Sequence, residues 1–573
     1  MKKIGLLFLG TFLLGAGVAY FFLRAPVTAT DTAYAEYLPA DTLAIMSLRD
    51  LSGLTDLFPG TALGHFLSKE TMAAILNDMQ VGAEAVVDYE KSCDQVFSVL
   101  HNPAFRMVFG DDVELAWLTV DPEKMSADPQ EFIEQSLIIL ATTTSGKALE
   151  TFAHALLHKD VDTIKSGDLE LTRIRLDAGN HVYAYSEGSR LLLALDPVVI
   201  SRCVAVKDTG NTLQQEKNFI AAVELWQASS LQKTYSREFV QLDRLSPYLG
   251  RAKDKDLRQV GRYLQGMEFV ASTGGRIAGG WKVESTGRYS YDELDPAVRE
   301  VIDAKSDKNT NLHLLLGNPL FYSWSSSLGV SNLLQGLSAT DAAEYKKLDR
   351  RLQKEFDLSL AQITGAFGPQ YGMVLKKIVQ GGLFPLPRIV LFVQIRDHKV
   401  AGALLDRIRQ KAADRGMKGA QTEQVGPYTL YSWALLPGEA TQPAFVLTTD
   451  MLYFANGPSS LKQVLDMEKD RARLPEQVAA KLGAPLADQV RQANNGAFIF
   501  WPDRFAAQVK GAADWLAGIV AASQGKSIAR LKDELLLLMQ STEKAVLVSD
   551  IFVDHGRAMM TFKEKKKKEA AVR

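Results

Sequence analysis

The chain has 573 residues, of which 47% are hydrophobic and 23% are charged, so it is long enough for two or more domains with sizeable cores. Its formal net charge is -2, and no overall basic field is present that would hold nucleic acid through its phosphates. The composition therefore predicts a globular protein and excludes nucleic acid as an expected partner.

The N-terminus carries the most informative pattern. Lys2 and Lys3 precede an uncharged apolar run at 4–23, and Arg24 follows it. At about 1.5 Å per residue the run matches a hydrocarbon core of about 30 Å. We therefore predict a transmembrane anchor and short linker over 1–35, with a cleaved signal peptide as the alternative because small residues follow. The lysines then predict a single-pass protein with the remaining chain outside the cytoplasmic membrane.

The rest of the chain repeats one order of patterns twice. The first unit is predicted at 36–300 and the second at 301–562, and a basic tail occupies 563–573. Segment 108–120 corresponds to 366–378, and the strand, turn and helix pattern at 136–157 corresponds to 389–408. Each unit ends in a predicted hairpin, at 267–285 and at 543–562. Common order and similar spacing indicate a duplicated domain.

Each unit mixes strands with helices, and several strands are adjacent meanders. Gly167 and Gly426 each begin a predicted two-strand meander, which favours antiparallel sheet over a doubly wound parallel fold. The predicted fold class is therefore α+β: one N-terminal transmembrane helix, then a tandem-duplicated ectodomain with mostly antiparallel sheets and flanking helices.

Several of these patterns resemble an uncharacterised bacterial domain-of-unknown-function family of N-terminally membrane-anchored envelope proteins. They are LPADTLAIMSL after the apolar run, the FG segments, the strand–helix units and the closing LALDP and FANGP strands. The resemblance covers most of the chain. It implies this architecture and a location in the bacterial inner membrane, with the ectodomain in the periplasm or otherwise outside the cytoplasmic membrane. It implies no activity and no functional residues.

The stretch ATTTSGKA at 141–148 follows a strand pattern, as a phosphate-binding loop does. Ala141 replaces the first glycine of GxxxxGK[ST], and Ala148 replaces the hydroxyl that binds magnesium. We interpret it as a strand-to-helix joint. In the second unit, Asp397 is predicted to cap the corresponding helix.

Other titratable residues form no recognisable catalytic or metal site. His154 and His158 share a helix face but lack the glutamate of HExxH, so we interpret them as exposed. Asp111, Asp112 and Glu114 have no acidic counterparts in the second unit and are attributed to a turn that enters a strand. Cys93 and Cys203 are expected to be free thiols rather than a disulfide. No catalytic, cofactor-binding or metal-binding residue is predicted.

Two groups of aromatic residues leave two interpretations open. They can line a groove for an apolar ligand or a partner, or they can form an aromatic core. The residues are Phe321, Tyr322, Trp324, Phe498, Phe500 and Trp501. The basic tail is likewise either a solvated terminus or a contact for anionic lipid.

The sequence as a whole predicts a non-enzymatic, membrane-anchored envelope protein that acts as a binding or scaffold module. Its expected partners are the membrane, through the N-terminal helix, and an envelope protein. The first alternative is a carrier or sensor of an apolar ligand or lipid in a groove formed by the two units. The second alternative is an unrecognised hydrolase.

Overall fold

The computed structural model describes residues 34–50, 53, 56, 58–100, 102–121, 123–124, 128–143, 149, 160–175, 181–303, 308–326, 342–381, 384–414, 420–435, 438–469 and 473–565. Within these ranges it contains 20 strands, and the strand pairs described below for each unit are all antiparallel.

The strands are β1 (Ala44–Arg49), β2 (Asp112–Trp117), β3 (Leu137–Thr142), β4 (Val161–Ser166), β5 (Leu169–Arg175), β6 (His181–Glu187), β7 (Arg190–Ala194), β8 (Lys233–Gln241), β9 (Met267–Ile277), β10 (Gly280–Tyr289), β11 (Phe321–Ser325), β12 (Phe367–Gly381), β13 (Phe384–Ile395), β14 (Ala420–Val425), β15 (Tyr428–Trp433), β16 (Ala444–Leu447), β17 (Met451–Ala455), β18 (Gly496–Phe500), β19 (Thr542–Ile551) and β20 (His555–Glu564).

The α-helices are α1 (Ala62–Phe66), α2 (Lys69–Asp78), α3 (Ala83–Leu100), α4 (Pro103–Phe109), α5 (Pro129–Ser136), α6 (Pro197–Thr209), α7 (Lys217–Gln227), α8 (Leu242–Gly250), α9 (Lys255–Tyr263), α10 (Pro296–Asp303), α11 (Ala342–Phe356), α12 (Leu360–Gly365), α13 (His398–Asp414), α14 (Pro458–Lys469), α15 (Leu474–Leu482), α16 (Ala484–Gln492), α17 (Pro502–Gln524) and α18 (Ala529–Gln540). Short 3-10 helices lie at Ala35–Tyr37, Phe58–Gly60, Leu213–Gln215, Tyr291–Glu293, Leu312–Gly317 and Glu439–Thr441.

The chain divides into two compact units. The first comprises Met1–Asp295 with Lys526–Arg530, and the second comprises Pro296–Gly525 with Leu531–Arg573. The division therefore falls between Asp295 and Pro296, whereas the sequence predicts it between residues 300 and 301.

Both units have the same strand order. The first sheet runs β4-β5-β6-β7-β3-β2-β1-β8-β9-β10, with every neighbouring pair antiparallel. The second runs β14-β15-β16-β17-β13-β12-β11-β18-β19-β20, again antiparallel throughout. The predicted meanders and terminal hairpins are confirmed. Gly167 and Gly426 occupy their turns at φ 62° and 60°, a left-handed conformation that glycine adopts without a Cβ clash.

Backbone hydrogen bonds fix which residues of the two units correspond. In the first unit, the Leu43 N–H donates to the Trp117 carbonyl at 2.8 Å, and the Gln241 N–H donates to the Leu43 carbonyl at 2.9 Å. In the second unit, Leu320 donates to Leu375 at 2.8 Å, and Trp501 donates to Leu320 at 3.0 Å. Counting from these bonds gives equivalent positions along the central strands of each sheet.

In the first unit, helices cover both faces of the sheet. We call the face that packs on α6 and α7 the inner face. Its core includes Ile45, Ile138 and Leu192 from the strands and Ile200 and Phe219 from the helices. On the outer face, a smaller cluster joins strand residues such as Val113 to partly buried residues of α3 and α4. Apolar burial on both faces drives this layered packing.

The second unit has the same two-sided arrangement. Its inner-face core joins strand residues such as Tyr322 and Val390 to Leu461 of α14, Val478 of α15 and Val490 of α16. On the outer face, Leu405 of α13 packs with Trp433 and Phe445 of the sheet. The apolar segment 384–395 forms strand β13.

The predicted fold class is contradicted in its membrane component. Of the helices in the described ranges, none combines the length and apolarity needed to cross a membrane. The longest of them, α17, carries Asp503, Arg504, Lys510 and Asp514 along its length. The run at 4–23, on which that prediction rested, lies outside the described residues.

The predicted cap of helix α13 is confirmed. The Asp397 carboxylate accepts hydrogen bonds from the N–H groups of Lys399 and Val400 at 2.9 and 3.0 Å. Replacing Asp397 with alanine should lower the free energy of unfolding by about 1 kcal/mol, because two helix N–H groups lose their acceptor. Chemical denaturation measures the loss. Asp397→Asn is the matched control, and a loss as large as that of the alanine variant would contradict the capping role.

Candidate functional site

The six aromatic residues predicted to line one groove lie on opposite faces of the second sheet. Side chains alternate along a strand, so Tyr322 and Trp324 of β11 point to the inner face and Phe321 points to the outer face. Trp501, which follows β18, is also buried in the inner core. The structure therefore does not bring the six residues together on one surface.

Two of the inner aromatic residues form hydrogen bonds within the core. The Trp324 indole N–H donates to Gln370 Oε1 at 3.0 Å, and the Tyr322 hydroxyl donates to Asn309 Oδ1 at 3.1 Å. Burial raises the pKa of Tyr322 above its usual range. These side chains stabilise the unit and are not accessible to a ligand.

The outer aromatic residues pack with each other and with helix α17. Phe321 and Phe498 form an edge-to-face pair with ring centroids 4.9 Å apart. Phe500 packs on Phe505 of α17 at 5.4 Å in the same geometry. Of these four side chains only Phe498 is exposed, at 37%. This set anchors the first half of α17 on the sheet.

The second half of α17 presents an apolar surface to solvent. Residues 515–522 read WLAGIVAA and contain no charged side chain. Trp515, Leu516 and Ile519 are 41%, 52% and 42% exposed, and Ala517 is the one buried residue of this stretch. A helix that is apolar on all sides is normally covered. We call residues 515–522 the α17 apolar surface, and sequence periodicity did not single it out.

Two carboxylates of the acidic segment lie inside the first unit. Asp111 is exposed, whereas Asp112 and Glu114 point to the inner face, where Glu114 is 5% exposed. The Ser47 hydroxyl donates to Glu114 Oε2 at 2.8 Å, and Arg49 Nη1 lies 3.6 Å from Asp112 Oδ2. We call Ser47, Arg49, Asp112 and Glu114 the buried ionic cluster.

The electrostatics of this cluster follow from burial. Removal from water raises the pKa of Glu114 to about 7, although the Ser47 hydrogen bond and the Arg49 charge act in the opposite direction. Burial also raises the pKa of Asp112 despite the nearby Arg49. The sequence contained a signal for this cluster, because Glu114 lies in the same strand phase as the core residues Ala116 and Leu118.

A cleft of about 470 Å³ opens between α8, α9 and the start of β9 in the first unit. Gly261 permits the close helix approach, because a Cβ there would lie 2.8 Å from the Ser246 carbonyl oxygen. Two of its carboxylates already accept bonds, Asp243 from Asn218 and Glu268 from Ser290. Arg262, a basic residue of the lining, forms an ion pair with Asp295, and Arg262 Nε lies 3.0 Å from Asp295 Oδ2. The cleft is polar and open, and these three charged groups are bonded to residues outside its lining.

Cys93 and Cys203 are buried free thiols, as expected. His154, His158 and the Gly146–Lys147 pair lie outside the described residues. Within the described part of the chain, no group of three or more histidine, cysteine, aspartate or glutamate residues is arranged to hold a metal ion.

Comparison with known proteins adds no assignment to this geometry. No protein-family model, no curated protein and no solved structure matches the chain. The resemblance to a family of membrane-anchored envelope proteins therefore stays a prediction from the sequence.

Proposed function

We propose that this protein is a non-enzymatic binding module that docks a protein partner through the α17 apolar surface. The observation that carries this proposal is the exposure of Trp515, Leu516 and Ile519 along one uncharged helical stretch. Contiguous exposed apolar patches mark interaction sites on soluble domains, and tryptophan is enriched among the residues that dominate binding energy.

The surroundings favour a protein over a lipid surface. Exposed charges near the α17 apolar surface have both signs: Asp514 precedes it, Lys526 follows it, and Asp533 lies on α18. Asp514 also pairs with Lys532 of α18. An apolar centre with a mixed polar rim is the usual composition of a protein interface, whereas an anionic membrane selects an excess of basic residues.

The proposal is tested by affinity purification of the full chain from solubilised cells, comparing wild type with Leu516→Glu/Ile519→Glu. Two buried charges in the interface should lower partner recovery at least tenfold, since each costs several kcal/mol when it stays unpaired. Val198→Glu is the matched control, because Val198 is an apolar residue of α6 with 65% exposure. It should leave recovery unchanged.

Recovery that is equal for all three proteins would contradict docking at α17. The denaturation curves of the three proteins must coincide. A lower partner recovery then cannot result from unfolding of the double variant. Binding of the wild type to anionic vesicles in a flotation assay, with the same sensitivity to the double variant, would identify a lipid partner and overturn the protein proposal.

The other predictions have less support in the described geometry. The aromatic residues offered for an apolar-ligand groove are divided between two faces, and three of them are core residues. The polar cleft has the carboxylates that a hydrolase would use, but Asp243 and Glu268 already accept hydrogen bonds there. The envelope location stays a prediction from the sequence.

A further inference from the structure

The buried ionic cluster of the first unit has no counterpart in the second. Ser47 pairs with Glu114 on β2 and with Arg237 on β8. The equivalent residue of the second unit, Trp324, pairs with Gly372 on β12 and with Ala497 on β18. At these matched positions the first unit carries Glu114 and Arg237, whereas the second unit carries Gly372 and Ala497, which have no ionisable side chain.

The second unit shows that the fold does not require charged side chains at these positions. Ser326, two residues after Trp324, and Gln370, two residues before Gly372, occupy the positions equivalent to Arg49 and Asp112. Gln370 is fully buried and accepts from the Trp324 indole, so the neutral set is bonded within the unit. A Cβ on Gly372 would overlap the Ser323 carbonyl oxygen and the Phe392 ring.

Every element packed around Glu114 contributes identifiable groups. β1 supplies Ser47 and Arg49, β2 supplies Asp112, and β3 supplies the apolar Leu140 and the neutral Thr142. Beyond them lie Arg237 of β8, Arg190 of β7 and, from the segment before β1, Tyr34. The Tyr34 hydroxyl donates to the Asp112 carbonyl oxygen at 3.2 Å and is 2.7 Å from Thr142 Oγ1, and Arg190 lies over its ring at 5.0 Å.

The cations are distributed unevenly over this set. Arg49 faces both Asp112 and Glu114, while Arg237 lies over the Trp226 ring at 5.7 Å. At the end of β1, Asp50 is 3.9 Å from Lys233. Among the described residues, Glu114 Oε1 and Asp112 Oδ1 are buried without a hydrogen-bond partner. Two acidic groups therefore share one close guanidinium, and a proton on one of them relieves the excess negative charge.

We propose that Glu114 is a proton-binding switch that makes the stability of the first unit depend on pH. Protonation removes a buried charge and converts an acceptor-only carboxylate into a group with one donor. Deprotonation restores the buried charge and weakens the pairing of β1 with its neighbours.

The direction of the effect follows from linkage. Burial raises the pKa of Glu114 in the folded state to about 7, above the value of 4.5 that an unperturbed glutamate has. The folded unit therefore binds the proton more tightly than the unfolded chain does. The stabilisation that this tighter proton binding gives the folded unit is fully present below the pKa of the unfolded state. It is lost as pH rises toward 7. Above 7 no further loss comes from this group.

Hydrogen exchange measured by mass spectrometry tests the proposal on the full chain, because peptides of the two units are read separately. Between pH 5 and 7, the opening equilibrium constant of β1 and β2, corrected for intrinsic exchange, should rise up to about tenfold per pH unit more in wild type than in Glu114→Gln. The matched strands β11 and β12 should show no difference between the two proteins.

Two further variants make the test decisive. Glu170→Gln removes an exposed carboxylate of β5 and should reproduce the wild-type profile. Ser47→Ala removes a bond that favours the charged form, so it should move the midpoint of the β1 and β2 profile to higher pH even if Glu114→Gln does not fold. Equal pH slopes in wild type and Glu114→Gln, or an unmoved midpoint in Ser47→Ala, would overturn the proposal.

Discussion

Replacing Trp324 with alanine will lower the free energy of unfolding of the second unit by about 3–5 kcal/mol. Trp324 is 2% exposed at the centre of the inner core, and the substitution also leaves Gln370 Oε1 without the indole donor. Phe498→Ala, in the neighbouring strand, should cost only about 1 kcal/mol, because that ring is partly exposed and packs mainly on Phe321. Urea denaturation of both variants gives the comparison.

The contrast between the two substitutions separates a core from a groove. If the aromatic residues formed one ligand-binding groove, the two truncations would have similar and modest effects on stability. Equal losses for Trp324→Ala and Phe498→Ala would therefore contradict the division of these residues between two faces of the sheet.

Replacing Arg49 with leucine will lower the free energy of unfolding of the first unit by about 3–5 kcal/mol near pH 7.5. Arg49 is buried, and its charge lowers the pKa values of both Asp112 and Glu114. Without it, the two carboxyls keep their buried charges uncompensated or take up protons. The loss should be smaller at pH 5, where the Glu114 carboxyl is protonated, because a neutral acid needs no cation.

Denaturation of Arg49→Leu at both pH values measures this difference. Arg251→Leu is the control, because Arg251 is an exposed residue at the end of α8 and its replacement should change stability by less than about 0.5 kcal/mol. A loss that is the same at pH 5 and pH 7.5 would mean that Arg49 acts by packing alone.

Periodicity and turn chemistry predict much of each sheet from the sequence. Glycine between two strand patterns located the β4–β5 and β14–β15 turns. These signals are local, so they survive without tertiary information. The common strand order is a property of long-range pairing and needed the structure.

The candidate sites depended on information that the sequence holds only partly. Phe321 and Tyr322 are adjacent in sequence, and adjacency suggested one groove. On a strand, however, neighbours point to opposite faces, which the period-2 rule would have separated. Glu114 could have been recognised as a buried acid, because it lies on the same face of its strand as residues of the core. The exposure of α17 could not have been recognised, because the sequence pattern of an apolar helix is the same whether the helix is buried or exposed.

Site-specific photocrosslinking from the α17 apolar surface tests the proposed function most directly. A photoreactive amino acid is placed at Ile519 in the full chain, and another at Val198 as the exposed control. We expect one discrete protein adduct of defined mass from position 519 and none from position 198. The same adduct from both positions, or only lipid adducts at 519, would contradict docking of a protein partner on helix α17.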